Sequence, residues 1–204
     1  MAGLLRRLSA SLKRLSARLA RHEDCNIVIV GLDNSGKSTI INYLAAVSKG
    51  DAGVVVAEQV APTVGFRTEK VVRNRLNITV FDMSGQGKYR NLWEKQYGQV
   101  HGIIFVVDAT DKMRMCVAKD ELELILENTQ VRSGGLPILF LANKMDDPSH
   151  VSPAECVSRL GLESIRERPW FIIGTSAKTG EGLEPAFDWL AENIVETSEE
   201  EKRK

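Results

Sequence analysis

The sequence predicts an α/β fold: one doubly wound, six-stranded, mostly parallel sheet with helices on both faces. Three observations predict it. Short apolar runs that read as buried strands alternate with longer segments of helical periodicity, the pattern of a sheet covered by helices. The first run, Ile27 to Val30, passes straight into Gly31-Leu32-Asp33-Asn34-Ser35-Gly36-Lys37-Ser38, and then Ile40, Ile41 and Leu44 recur at helical spacing. Each polar cluster suited to chemistry follows a strand, where ligands collect in open α/β sheets.

A chain of 204 residues holds one such domain with an extension. The boundaries read as 1–22 for an N-terminal helix, 23–195 for the globular domain and 196–204 for a charged tail. Cys25, Cys116 and Cys156 are scattered, with no metal or disulfide spacing, so a reducing compartment is expected. No apolar run approaches the roughly 18–20 residues of a membrane span. Net charge is zero but unevenly placed. Residues 1–22 hold six basic side chains and no acidic one, which leaves the rest with 21 basic against 27 acidic, a net of −6.

That N-terminal stretch reads as an amphipathic helix, with Leu4, Leu8, Leu12, Leu15 and Leu19 in one stripe amid Arg6, Arg7, Lys13, Arg14, Arg18 and Arg21. Such a helix suits an anionic membrane surface. Packing on the domain, or a role as a transit peptide, are the alternatives. Ala2 stands where myristoylation needs glycine, and no C-terminal prenylation cysteine occurs.

The strand-loop-helix at Ile27 is a P-loop, whose N–H groups and helix start bind phosphate. It predicts the P-loop NTPase arrangement, with residues Asp33, Asn34, Ser35, Gly36, Lys37, Ser38 and Thr39 around the phosphates. Gly36 admits a close backbone approach. Lys37 neutralises the β/γ oxygens, and the Ser38 hydroxyl suits Mg²⁺. A loose stretch containing Val54 to Val56 follows. Two period-2 runs, Phe66 to Val72 and Leu76 to Phe81, flank Arg73-Asn74-Arg75 and read as a hairpin.

Ile103 to Val107 is the next strand, followed by a helix from about Met113 to Thr129 with Val117, Leu122, Leu124, Ile125 and Leu126 facing mostly inward; Gly134-Gly135 stop it. Pro137 to Leu141 and Pro169 to Ile173 are the remaining strands. Ser152 caps a short helix with Pro153 at its first position. The final helix starts near Gly182 and carries Leu183, Phe187, Trp189, Leu190 and Ile194.

Asn143-Lys144-Met145-Asp146 selects the base. Guanine offers two adjacent donors, the ring N1–H and the exocyclic amine, and the Asp146 carboxylate accepts both. Adenine would leave that carboxylate unpaired, a strong basis for rejection. Asn143 would brace the loop, the Lys144 stem would cover the base, and the Ala177 N–H of Ser176-Ala177-Lys178 would meet the guanine oxygen. Asp82, at a strand end, suits Mg²⁺ through a water. Gly85 offers an N–H to the γ-phosphate, and Gln86 would orient the attacking water. Thr63 offers its hydroxyl to Mg²⁺ and its N–H to the γ-phosphate.

These clusters, in this order, resemble the Ras-superfamily small GTPases. Gly31-Leu32-Asp33, Pro62-Thr63-Val64-Gly65-Phe66 and Gln86 followed by Leu92-Trp93 resemble the Arf and Arf-like branch. The run from Phe81 to Glu94, with Asn34-Ser35, Arg114-Met115 and Pro169-Trp170, is most similar to a ciliary subfamily of that branch. The resemblance implies a GTP/GDP switch with Mg²⁺, recruitment of a BBSome-like coat or other effector in the GTP state, an exchange factor and an activating protein. It also implies a cytoplasmic, peripheral-membrane location at a cilium, flagellum or basal body. Ser84 stands where most of the branch has glycine, and Gln96 where it has a third exposed aromatic beside Phe66 and Phe81. Asp33 replaces a glycine common in small GTPases and implies slow hydrolysis. A GTP-dependent interaction module in vesicle traffic that hardly hydrolyses is the alternative; an ATP-dependent enzyme is disfavoured by Asp146. No nucleic-acid-binding motif occurs, so no such partner is expected.

Overall fold

The computed structural model describes residues 23–50, 61–74 and 76–201. The N-terminal leucine-striped helix, the run Val54 to Val56 and residues 202–204 of the tail lie outside the described residues.

Six strands form one sheet: β1 (Glu23–Val30), β2 (Phe66–Arg73), β3 (Leu76–Met83), β4 (Gly102–Asp108), β5 (Ile138–Asn143) and β6 (Trp170–Thr175). Their spatial order is β2-β3-β1-β4-β5-β6, with β2 antiparallel to β3 and the other pairs parallel. β4 and β5 are buried along their whole length, which is why they read as continuous apolar runs instead of alternating ones. β2 is an edge strand, and its charged Arg67, Glu69, Lys70 and Arg73 suit that exposed place. Chain order reverses at β1, which lies between β3 and β4, so the carboxyl end of β1 opens on the crevice where ligands bind.

Among the described residues, five helices cover the sheet: α1 (Lys37–Ser48), α2 (Met115–Glu127), α3 (Thr129–Gly134), α4 (Pro153–Leu160) and α5 (Leu183–Glu201). Alternation along β1 divides the core. Ile27 and Ile29 pack with Ile40, Ile41 and Leu44 of α1 and Leu183, Phe187 and Leu190 of α5. Val28 and Val30 belong to the opposite cluster, with Met115, Leu122 and Ile125 of α2, Val131 of α3 and Cys156 and Leu160 of α4. Trp189 is partly buried and meets Phe171 with ring centroids 5.5 Å apart. Ser152 caps α4 by accepting from the Glu155 N–H at 3.1 Å, with Pro153 opening the helix.

Three expectations are corrected. The single helix from Met113 to Thr129 is divided: a 3₁₀ turn (Lys112–Arg114) precedes α2, and Asn128 breaks the helix with φ −61° and ψ 130°. The Asn128 side chain accepts from the Gln130 N–H at 3.0 Å and caps α3. Leu124 is 63% exposed; the inward face of α2 is Met115, Ala118, Leu122 and Ile125, spaced three, four and three apart. At the other end α5 continues to Glu201, so residues 196–201 extend the helix. The hairpin turn has Asn74 at φ 46°, a left-handed conformation that asparagine tolerates.

Candidate functional site

The P-loop is shaped by glycines that admit no side chain. A Cβ on Gly31 would stand 2.2 Å from the Val106 carbonyl oxygen, and one on Gly36 would stand 2.2 Å from Asn143 Nδ2. Both have positive φ, 136° and 99°, as does Asn34 at 62°. The loop leads into α1, whose first N–H groups lack partners within the helix and give its start a positive end. Lys37 is buried and lies across its own loop, with Nζ donating to the carbonyls of Gly31 at 2.9 Å and Leu32 at 2.7 Å. Burial pushes this ammonium down to about 8, partly opposed by the nearby Asp82 carboxylate. A phosphate against Nζ would favour the charged form. The loop opens on a cleft of about 680 Å³ shared by Asn34, Lys37, Ser38 and Thr39 with Thr63, Gly85 and Gln86.

Three segments meet at Ser38. Its Oγ donates to Asp82 Oδ2 at 2.7 Å and lies 3.0 Å from Thr63 Oγ1. Asp82 is fully buried. Its Oδ2 also accepts from Arg67 Nε at 2.8 Å, whereas Oδ1 has no hydrogen-bond partner among the described residues. A buried carboxylate oxygen needs a donor, and a metal-bound water supplies one. Two hydroxyls and a carboxylate beside a phosphate cleft are hard oxygen donors, and they fit Mg²⁺. Gly85 abuts the P-loop so closely that a Cβ on it would be 2.3 Å from the Asp33 nitrogen. Gln86 is half-buried at the cleft edge and precedes a 3₁₀ turn (Gly87–Leu92). Ser84 links the segments around it: its N–H donates to the Gly65 carbonyl at 2.9 Å, and its carbonyl accepts from Trp93 Nε1 at 2.9 Å. Phe66 and Phe81 form an exposed-to-half-buried pair with ring centroids 6.4 Å apart, while Gln96 is buried.

The second half of the site follows β5 and β6. Buried Asn143 donates Nδ2 to the Ser35 carbonyl at 2.8 Å. Its Oδ1 accepts from Thr175 Oγ1 at 3.3 Å and from the Ala177 N–H at 3.0 Å. Through that last bond the Ala177 N–H braces the loop against Asn143. Lys144, at φ 74°, reaches back to Asp108 Oδ2 at 2.6 Å, fixing its stem along the loop. Asp146 is exposed, with Oδ1 accepting from Ser176 Oγ at 2.7 Å; that hydroxyl also accepts from the Thr179 N–H at 3.1 Å. Lys178 is exposed.

Three arginines at this end of the sheet were given no role by sequence reasoning. Arg114 Nη1 pairs with Asp33 Oδ1 at 3.1 Å and its Nε with Asp111 Oδ2 at 2.5 Å. The Asp111 and Asp33 carboxylates raise the Arg114 pKa further above its ordinary range. Arg90 donates from Nε to the Gly85 carbonyl at 2.9 Å and from Nη1 to Glu121 at 2.6 Å, fastening Gly85 to α2. Arg67 reaches Asp82 from the edge strand. The Asp33–Arg114 contact spans 81 positions, so no local spacing could have revealed it.

The ADP-ribosylation factor family matches the chain over residues 11–194. Among characterised proteins, the chain is 44% identical to ADP-ribosylation factor-like protein 6 of Danio rerio over 174 residues, 85% of this chain and 90% of that protein. It is 41% identical to the protein of the same name from Caenorhabditis elegans, over 87% of this chain and 90% of that one. The structure of the Arl6 BBS3 small GTPase of Trypanosoma brucei with the nucleotide analogue GppNp bound superposes with a TM-score of 0.75 at 37% identity, covering 85% of this chain and 99% of that one.

Proposed function

Because the chain belongs to the ADP-ribosylation factor family and is a GTP-hydrolysing small GTPase, we propose that it is a switch that recruits a BBSome-like coat to membranes for ciliary or flagellar protein traffic. The observation that carries this reading is the meeting of Thr63 and Asp82 at Ser38, with Gly85 against the P-loop. Thr63 precedes the β2–β3 hairpin and Gly85 follows it. Both segments flanking one hairpin therefore end on the phosphate cleft. A γ-phosphate there would hold both, and its loss would release both.

The residues divide the work as follows. Lys37 and the P-loop N–H groups hold the β- and γ-phosphates. Mg²⁺, held by the Ser38 and Thr63 hydroxyls and through water by Asp82, would neutralise charge on the same oxygens. Gly85 offers its N–H to the γ-phosphate. Gln86 orients the attacking water, as in the P-loop GTPase template. Asp146, aimed by Ser176, accepts the two guanine donors. Asn143 joins the base loop to the phosphate loop.

The coat, the exchange factor and the activating protein follow from the resemblance that the run from Phe81 to Glu94 carries. An anionic membrane surface is the partner of the basic, leucine-striped residues 1–22, with exposure of that stripe in the GTP state. The location that follows is peripheral to a membrane at a cilium, flagellum or basal body. Two parallel experiments test the reading: capture of coat subunits from a ciliated-cell extract, and sedimentation with anionic liposomes, each with GppNp- and GDP-loaded protein. The GppNp form is expected to retain coat and lipid and the GDP form neither, with lipid binding lost when Leu8 and Leu12 become glutamate. Equal retention in both nucleotide states would overturn it.

A further inference from the structure

We propose that Arg67 is a positioning residue that sets how tightly the switch holds its divalent cation: it shares the Asp82 carboxylate, weakens Mg²⁺ binding and so speeds nucleotide release. The inference rests on the reading of Ser38, Thr63 and Asp82 as the Mg²⁺ site.

The placement is fixed by backbone pairing and by three side-chain contacts. Arg67 on β2 stands directly opposite Asp82 on β3 in the antiparallel register, which puts both side chains on one face of the sheet. Arg67 Nε donates to Asp82 Oδ2 at 2.8 Å. Its Nη2 donates to Asn42 Oδ1 at 3.0 Å and to the Ser38 carbonyl at 3.5 Å. Ser38 and Asn42 are one turn apart on α1, so the guanidinium is gripped between the helix that starts the phosphate site and the strand that ends in Asp82. The Arg67 side chain is 39% exposed, whereas that of Asp82 is fully buried.

Two electrostatic consequences have the same sign. A guanidinium on Asp82 cancels part of the negative charge that attracts a dication, and adds a positive charge beside it. When the cation leaves, the buried carboxylate is not left alone. An uncompensated buried charge is strongly destabilising, and Arg67 supplies the compensation. The metal-bearing site is weakened while the metal-free site is supported. The Oδ2 atom already accepts from Ser38 and Arg67, so Oδ1 is the oxygen left for a metal-bound water.

A purely structural arginine would predict lower thermal stability without a changed cation requirement. The experiment therefore reads the cation. The full chain is loaded with a fluorescent GDP analogue, and its release is followed as free Mg²⁺ is varied, for wild type, Arg67→Gln and Arg67→Lys. Removing the charge should lower the Mg²⁺ concentration that half-protects the nucleotide by about tenfold, the scale expected for a partly screened unit charge. Arg67→Lys, which keeps the charge, should stay near wild type. Asn42→Ala, which loosens the guanidinium and leaves Asp82 intact, should shift the midpoint the same way by less, and serves if Arg67→Gln fails to fold. An unchanged or raised Mg²⁺ requirement in the charge-removing variant, with release still Mg²⁺-dependent, would overturn this role alone. Release insensitive to Mg²⁺ in every protein would overturn the Mg²⁺ site and this role with it.

Discussion

Asn143 donates its side-chain amide to the Ser35 carbonyl at 2.8 Å, joining the end of β5 to the P-loop across 108 positions of sequence. The same side chain accepts the Ala177 N–H at 3.0 Å. One buried residue thus sets the distance between the phosphate end and the base end of the nucleotide. Asn143→Ala would leave the Ser35 carbonyl and the Ala177 N–H without these partners. The cost should be about 2–4 kcal/mol, or roughly 5–10 °C in Tm, with a matching loss of nucleotide affinity. Thermal unfolding and nucleotide titration check both; unchanged values in each would refute the bracing role.

Asp146 provides the base test. Ser176 holds one of its oxygens at 2.7 Å. Asp146→Asn replaces an acceptor with a donor, and should shift preference from guanine to xanthine nucleotides, whose ring edge carries the complementary acceptor. Competition among GTP, XTP and ATP against a fluorescent GDP analogue measures it. If ATP competed as well as GTP with the wild type, the Asp146 assignment would be wrong.

Hydrolysis should be slow. Lone GTPases of this template turn over at roughly 10⁻⁴–10⁻² s⁻¹, and an external arginine adds about 10³–10⁵. Asp33 lines the same cleft as Gln86, with its carboxylate held by Arg114 at 3.1 Å, so the cleft keeps a side chain where many small GTPases have none. Single-turnover assays should place the wild type at the slow end, and Gln86→Leu should lower the rate further. A fast rate that Gln86→Leu leaves intact would remove Gln86 from catalysis.

The cysteines supply a prediction with a defined pH sign. Burial pushes the Cys25 thiol up to about 12, with Asp24 adding to the rise, and the Cys156 thiol up to about 11, with Glu155 adding to it. Both therefore remain protonated at pH 8, and only the thiolate reacts. Cys116 is exposed. A disulfide reagent at pH 8 should titrate one thiol quickly in the native protein and three after denaturation. Rapid native modification of all three would contradict this burial.

Much of the fold was legible because its signals are local. The P-loop, the hairpin turn at Asn74 and the Ser152-Pro153 cap each lie within a few residues of what they determine. The strands β4 and β5 announced themselves as unbroken apolar runs. What was missed depends on distant partners or on competition between neighbours. Asn128 looked like one more helical residue, but its side chain prefers to cap the next turn. Leu124 fitted an apolar stripe, yet the helix turns it to solvent. The Ala177 N–H also has a partner in Asn143, 34 positions away, that no local spacing marks. A separation of 81 positions hid Arg114 from Asp33. Motif positions gave the chemistry, and tertiary contacts decided how each group is held.

The central claim is that one phosphate holds both segments flanking the hairpin. Hydrogen exchange at the amides around Thr63 and around Gly85-Gln86, compared between GppNp- and GDP-loaded protein, tests it most directly. Protection of both segments together with GppNp, lost together with GDP while β4 and β5 stay protected, is the expected result. Equal exchange in the two states, or a response in one segment alone, would contradict the account.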